Sequence, residues 1–377
     1  MQTSVNYPRV DQTVEVDLGT DSYPILIGQG LVAEVGQLIA DQIGGSGKVA
    51  VVADQQVTEL FGREMVDGLK SADYAPIWVE IPGGDQNKSI ESFMQIQNAL
   101  IEHQMDRQSL LIALGGGVIG DLAGFAAATF MRGINWVQVP TTLLAQVDAS
   151  VGGKTAINHP KGKNMIGAFH QPKLVVIDSN TLKTLPLREI RCGLAEIIKH
   201  GVIMDLPLLE QIEQHQTELL NLETEVLTDV IAQSCRDKAW VVKNDEKETD
   251  LRSTLNYGHT FGHALETLTD YHQCQHGEAV SVGMNCAAQL SVNLGLLDQQ
   301  DLQRQNQLLQ AVGLPIRLAD LQLDGISATD LLHTMYLDKK ASSDRLKLIL
   351  TPAVGQAVIR QDIPDDEILK AIEMCRS

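Results

Sequence analysis

The stretch from Leu110 to Leu114, Leu-Leu-Ile-Ala-Leu, runs straight into Gly115-Gly116-Gly117-Val118-Ile119-Gly120-Asp121 and then into a helical pattern. A strand apolar on both faces has to be covered on both, which is the situation of a parallel sheet between helices. A turn without side chains lets the backbone approach a pyrophosphate, and the helix N-terminus behind it adds N–H donors and a positive dipole end. Gly117, Val118, Ile119, Gly120 and Asp121 are therefore candidates for holding a dinucleotide, with a tight packing turn as the competing reading. The glycines interrupt residues 110–131, so strand, turn and helix is preferred there to a membrane span. An ordinary Rossmann domain would show an acid about twenty residues further on, but Val139-Pro140-Thr141-Thr142 stands there. Asp54, closing an earlier apolar run, is a candidate for a ribose hydroxyl or for a helix cap. A second turn, Gly83-Gly84-Asp85-Gln86-Asn87-Lys88, offers further donors.

Other segments extend the pattern. Residues Thr13 to Leu18 alternate polar and apolar, and Tyr23 to Ile27 follows a Gly-Thr-Asp-Ser turn, which predicts an antiparallel hairpin. The runs Lys48 to Ala53, Ile77 to Ile81, Trp136 to Val139 and Leu174 to Ile177, separated by helical patterns such as Ile90 to His103, predict a parallel sheet. Beyond about Pro186, helical spacing dominates in Leu194–Val202, Leu208–Leu219, Val226–Val242, Thr260–Leu268, Glu278–Leu294 and Asp365–Met374. The chain of 377 residues exceeds one hydrophobic core. The expectation is an α/β protein, with a Rossmann-like parallel-sheet domain over residues 1–185 and a mainly α-helical domain over 186–377, the cleft between domains being the default site.

A net charge of -19 disfavours a general nucleic-acid or anionic-membrane surface, so an anionic substrate needs its own cluster of cations. The five cysteines are odd in number and form no Cys-x-x-Cys pair, which suits reduced thiols in the cytoplasm. The first nine residues lack the basic and apolar parts of a signal peptide.

Asp148-Ala-Ser-Val-Gly-Gly-Lys154-Thr155 ends like a P-loop, but Asp148 occupies the position that needs glycine. What remains is a flexible turn delivering Lys154, followed by Lys161, Lys163 and Asn164: either a local anion site or a solvated surface loop. His259 and His263 lie four apart, on one helical face, and His276 follows before another helix. A catalytic zinc site takes three N or O ligands and an open position. Glu196, flanked by Leu194, Ala195 and Ile197, is the best carboxylate candidate, since a buried charge needs a partner. A Glu196–Lys199 pair on an exposed face is the alternative, and spacing does not select among the histidines, because His263 and His272 also fit.

Taken together, these stretches resemble the 3-dehydroquinate synthase family of sugar phosphate cyclases over nearly the whole chain. The resemblance rests on Leu114–Arg132, Pro140–Lys154, Gly162–Gln171, Gly193–Lys199, Leu255–His263, His276–Val280 and Asp338-Lys339-Lys340. It implies Glu196, His259 and His276 as ligands of one divalent metal, zinc or cobalt. It implies NAD contacts at Asp85, Lys88, Gly117, Asp121, Thr141, Thr142, Lys163, Thr181, Leu182 and Thr184, with Lys183 beside them, Lys154 nearby and Asp54 less firmly placed. Substrate contacts would fall on Asp148, Lys154, Asn164, Lys199, Lys238, Arg252, Asn256, His263 and one of Lys339 and Lys340. Arg132 would reach the substrate phosphate of a neighbouring subunit, implying a homodimer. The implied reaction turns 3-deoxy-D-arabino-heptulosonate 7-phosphate into 3-dehydroquinate by NAD-dependent oxidation at C5, phosphate elimination, re-reduction and aldol closure.

Overall fold

The computed structural model describes residues 9–44, 47–270, 273–339 and 345–377, with the side chains of Asp338 and Lys339 left aside. Lys340, His272 and the Lys339 side chain thus lie outside the described residues. The chain forms two units, one of residues 1–185 with 227–246, the other of 186–226 with 247–377.

In the first unit, β1 (Val10–Val16) and β2 (Tyr23–Gly28) form the expected antiparallel hairpin. There follow α1 (Val35–Gln42), β3 (Val49–Asp54), α2 (Gln55–Ser71), β4 (Ile77–Ile81), α3 (Ile90–Glu102), β5 (Leu110–Gly115), α4 (Gly117–Thr129) and β6 (Asn135–Pro140). Next come β7 (Lys154–His159), β8 (Gly162–Phe169) and β9 (Leu174–Asp178). The seven-stranded sheet has the order β1-β2-β9-β6-β5-β3-β4, and every pairing after the hairpin is parallel. Alternation within the strands serves both faces. Val49, Val51 and Ala53 of β3 join one apolar cluster with Ile112 and Leu114, while Ala50 and Val52 join another with Leu111 and Ala113. Each such burial stabilises the fold by about 1.5–3 kcal/mol for the larger aliphatics. Strand order reverses between β3 and β5, and in sheets of this kind ligands bind at the carboxyl ends of the strands flanking such a switch point. Those ends are Asp54 and Gly115.

One expectation is corrected here. The segment carrying Lys154, Lys163 and Asn164 is an antiparallel hairpin, β7 with β8, and not a flexible loop. Residues Asn164 to Gly167 of β8 are all exposed, so the strand shows no alternation from which it could be predicted.

The second unit holds α5 (Leu187–Ile203), α6 (Leu206–Gln214) and α7 (Gln216–Leu220), before α8 (Thr224–Asn244) carries the chain back to the first. It resumes with α9 (His259–Leu268), α10 (His276–Asn293), α11 (Gln299–Ala311), α12 (Ala328–Lys339), β10 (Leu348–Ala353), β11 (Gln356–Arg360) and α13 (Asp365–Met374). The run Leu208–Leu219 is two helices parted at His215, and β10 with β11 adds an unforeseen hairpin. Among the described residues no helix is long and apolar enough to cross a membrane.

Glycine sets how closely the helices of this unit approach. A Cβ on Gly277, at the start of α10, would lie 2.4 Å from Cys192 Cα of α5. A Cβ on Gly283 would lie 2.0 Å from the carbonyl oxygen of Gly258, the residue before α9. Side chains at either place would force apart the three helices that carry Glu196, His259 and His276.

Candidate active site

In the second unit Glu196, His259 and His276 meet, their ligand atoms all within 4.8 Å of one another. Glu196 is fully buried, and His259 Nε2 and His276 Nε2 stand 3.5 and 3.4 Å from its Oε1. That oxygen has no hydrogen-bond partner among the described residues, an unfavourable position for a buried carboxylate atom. Two nitrogens and an oxygen bound tetrahedrally at zinc-like bond lengths would be about 3.4 Å apart; each nitrogen stands at that spacing from Glu196 Oε1, so the residues fit a divalent cation. Orientation agrees: His259 Nδ1 lies 3.1 Å from the Tyr257 carbonyl, which fixes that nitrogen as the donor and leaves Nε2 its lone pair.

The electrostatics follow from burial and neighbours. Burial works against charge on Glu196, but Lys199, His259 and His276 outweigh it and hold the carboxyl well below the usual carboxylate range. Burial pushes His259 down to about 3 despite the pull of Glu196, so its ring is neutral and able to bind a cation. Burial also disfavours charge on His276, yet Glu196 and Glu266 prevail and raise it to about 10, so a cation bound at its Nε2 would displace a proton from that nitrogen. Lys199 does pair with Glu196, one turn away on α5, but both side chains are buried, not exposed. His263 shares the α9 face with His259 and falls in an overlapping group with Glu266 and His276. Glu266 was not anticipated, although a glutamate three residues after His263 and seven after His259 occupies their helical face. Arg252 is buried in the turn before α9, and Asn256 donates from Nδ2 to Glu248 Oε1 at 3.1 Å.

In the first unit most of the anticipated nucleotide-binding residues follow the carboxyl ends of β3, β4, β5, β6 and β9. Asp54 caps α2 through a 2.8 Å bond from Val57 N, the role set against ribose binding above. A Cβ on Gly83 would lie 3.7 Å from the Asp54 Cβ, so the Gly83–Lys88 turn runs beside it. Asp85 pairs with Lys163 at 3.0 Å and accepts from Asn158. Asn87 Nδ2 donates to the Gly83 carbonyl at 2.6 Å, and Gln86 stands exposed on the same turn. Buried Lys88 bonds both Asp121, in the first turns of α4, and Asn164 of the hairpin. Burial raises Asp121 above its ordinary value, with Lys88 opposing. Gly117, Val118, Ile119 and Gly120 form the first turn of α4, whose N-cap Gly116 packs against Thr142. Thr141 N donates to the Gly115 carbonyl at 3.0 Å. Thr181, Leu182, Lys183 and Thr184 form a 3-10 turn after β9, tied to the same region by the 3.2 Å bond from Gln146 Nε2 to Thr181 Oγ1.

Also in the first unit, Lys238 of α8 donates to Asp148 Oδ1 at 2.6 Å, fixing a half-buried carboxylate. Lys154 begins β7 and is exposed. Arg132 is exposed too, its backbone at φ 70° beside Met131 at φ 50°, a left-handed pair that two bulky residues rarely adopt.

Profiles described as the N-terminal and C-terminal parts of 3-dehydroquinate synthase match residues 78–192 and 193–341. The 3-dehydroquinate synthase of Desulforamulus reducens is 47% identical over 360 residues, covering 96% of this chain and 99% of that one. The chain belongs to the 3-dehydroquinate synthase family. Among solved structures, the 2-epi-5-epi-valiolone synthase of Streptomyces hygroscopicus subsp. jinggangensis, with NAD+ and Zn2+ bound, superposes with a TM-score of 0.85. It shares 26% identity, over 94% of this chain and 96% of that one. A 2-deoxy-scyllo-inosose synthase complexed with carbaglucose-6-phosphate, NAD+ and Co2+ gives 0.84 at 24% identity, covering 97% of this chain and 100% of that one, and so shares the fold. Identity to dehydroquinate synthases is thus nearly twice that to these sister cyclases.

Proposed function

We propose that this chain is the lyase that converts 3-deoxy-D-arabino-heptulosonate 7-phosphate to 3-dehydroquinate and phosphate, a step of the shikimate pathway towards aromatic amino acids. The convergence of Glu196, His259 and His276 carries the reading, in a chain 47% identical to 3-dehydroquinate synthases along nearly its whole length. The first unit would bind NAD through Asp54, the Gly83–Lys88 and Gly117–Asp121 turns, Thr141, Thr142, Lys163 and the Thr181–Thr184 turn. The second would hold zinc or cobalt on the Glu196 triad. When bound, NAD supplies reversible hydride transfer at the substrate carbinol and the cation supplies Lewis-acid polarisation of the substrate hydroxyls.

The chain's own residues supply binding, orientation and proton handling. Lys154, Asn164 and Lys238 in the first unit, and Lys199, Arg252, Asn256 and a lysine at 339 or 340 in the second, match the anionic ends of the substrate and fix its orientation. Asp148, held by Lys238, Lys154 Nζ and the His263 ring are the groups assigned to taking up and returning protons. Arg132 serves the phosphate of the other subunit in a homodimer. Five unpaired cysteines suit a cytoplasmic enzyme.

The test supplies purified protein with heptulosonate phosphate, trace NAD and cobalt or zinc, and follows phosphate release and NADH absorbance together. Phosphate should appear over many turnovers without NADH accumulating, and His259→Ala should abolish it. Turnover of sedoheptulose 7-phosphate alone, or stoichiometric NADH, defeats the proposal. His259→Ala is a cleaner probe than Glu196→Gln, which would also strand the buried Lys199 ammonium at a cost of about 3–5 kcal/mol.

A further inference from the structure

We infer that Glu266 is a positioning residue that orients His276 for metal binding, an inference that rests on the cation site proposed above. His276 opens α10 and presents its two ring nitrogens in different directions. Nε2 faces Glu196 Oε1 at 3.4 Å, within the triad, while Nδ1 faces Glu266 Oε1 at 3.6 Å. Glu266 comes from the face of α9 that also carries His259 and His263, and is itself buried. A carboxylate taken out of water is tolerated where opposite charge or donors compensate it, and Nδ1–H of His276 is such a donor. At 3.6 Å this is an ion-pair contact, a few tenths of an ångström longer than a hydrogen bond. Two effects follow. The proton is held on Nδ1, which leaves Nε2 as the ligand atom, and the anion behind the ring makes that nitrogen more basic. His259 receives the first service from the Tyr257 carbonyl, so one histidine is oriented by a neutral oxygen and the other by a charged one.

The experiment titrates Co2+ into chelator-stripped wild type, His259→Ala, Glu266→Gln and Glu266→Asp, reading dissociation constants by chelator competition and coordination by the visible cobalt absorption. Thermal melting without metal controls for folding. Wild type should bind one ion and His259→Ala should lose the band. Glu266→Gln should still bind one ion, about 10–100-fold more weakly, with a shifted band and an unchanged melting point, and Glu266→Asp should recover most of the loss. If His259→Ala binds as wild type does, the cation site itself is wrong. If His259→Ala fails while Glu266→Gln matches wild type in affinity and band, the site stands and the inference falls. Complete loss of the ion in Glu266→Gln also overturns it, because Glu266 would then be a ligand in the group with His263 and His276.

Discussion

Changing Gly277 to alanine tests the claim that close helix packing, and not the ligand side chains alone, builds the cation site. The added Cβ would lie 2.4 Å from Cys192 Cα, 2.7 Å from its carbonyl oxygen and 2.9 Å from its carbonyl carbon, all backbone atoms that no rotamer change can remove. Carbon atoms settle near 3.5 Å or beyond, so the start of α10 has to retreat by about 1 Å. His276 is the adjacent residue and moves with it. Metal–ligand distances tolerate about 0.2 Å, so the affinity should fall by at least tenfold although Glu196, His259 and His276 all remain. Overpacking of this kind costs about 1–3 kcal/mol, and a domain of this size melts about 2–4 °C lower per kcal/mol. Chelator competition and thermal melting read the two effects. Gly325→Ala, where an added Cβ meets nothing within 4 Å, is the control and should match wild type in both. Wild-type affinity and melting in Gly277→Ala would refute the reasoning.

Two further outcomes are expected. Arg132→Ala should raise the apparent KM for substrate by roughly 10–100-fold, the loss of a charge-assisted hydrogen bond, without changing the melting point, because Arg132 is exposed; unchanged kinetics would remove it from the phosphate site. Burial pushes the Cys192 and Cys235 thiols up to about 12, and all five cysteines are buried, so at pH 8 a thiol-specific disulfide reagent should label none of them until the chain unfolds. Rapid labelling of the native protein would contradict that.

The sheet was legible because its strands are buried on both faces and read as unbroken apolar runs, as in Val49–Ala53 and Leu110–Leu114. The β7–β8 hairpin was not, since exposed Met165, Ile166 and Phe169 give β8 no polar-out, apolar-in rhythm. β10 carries Pro352 within a short run, which argues against a strand until its pairing with β11 is seen. At the site, spacing alone did not choose between His259 and His263 on one helical face, and only the family resemblance implied His259 as the ligand. Three dimensions separate them: His259 turns Nε2 toward Glu196 with its other nitrogen held by Tyr257, whereas His263 falls in the group with Glu266. Glu266 escaped notice because nothing local marks a helical glutamate as buried. Its significance comes from His276, which approaches from another helix.

The path of α8 bears on how such a protein can be divided or inherited. Residues 227–246 belong to the first unit, though the 41 residues before them belong to the second, so the backbone crosses from one unit to the other three times. A fragment ending at Leu185 would lack Lys238 beside Asp148, Arg236 beside Gln12 and Lys243 beside Asp17. Its complement would keep a helix severed from its partners. Neither half can be exchanged as a cassette by a single cut, so recombination that mixes such enzymes has to respect several junctions or replace the gene entire.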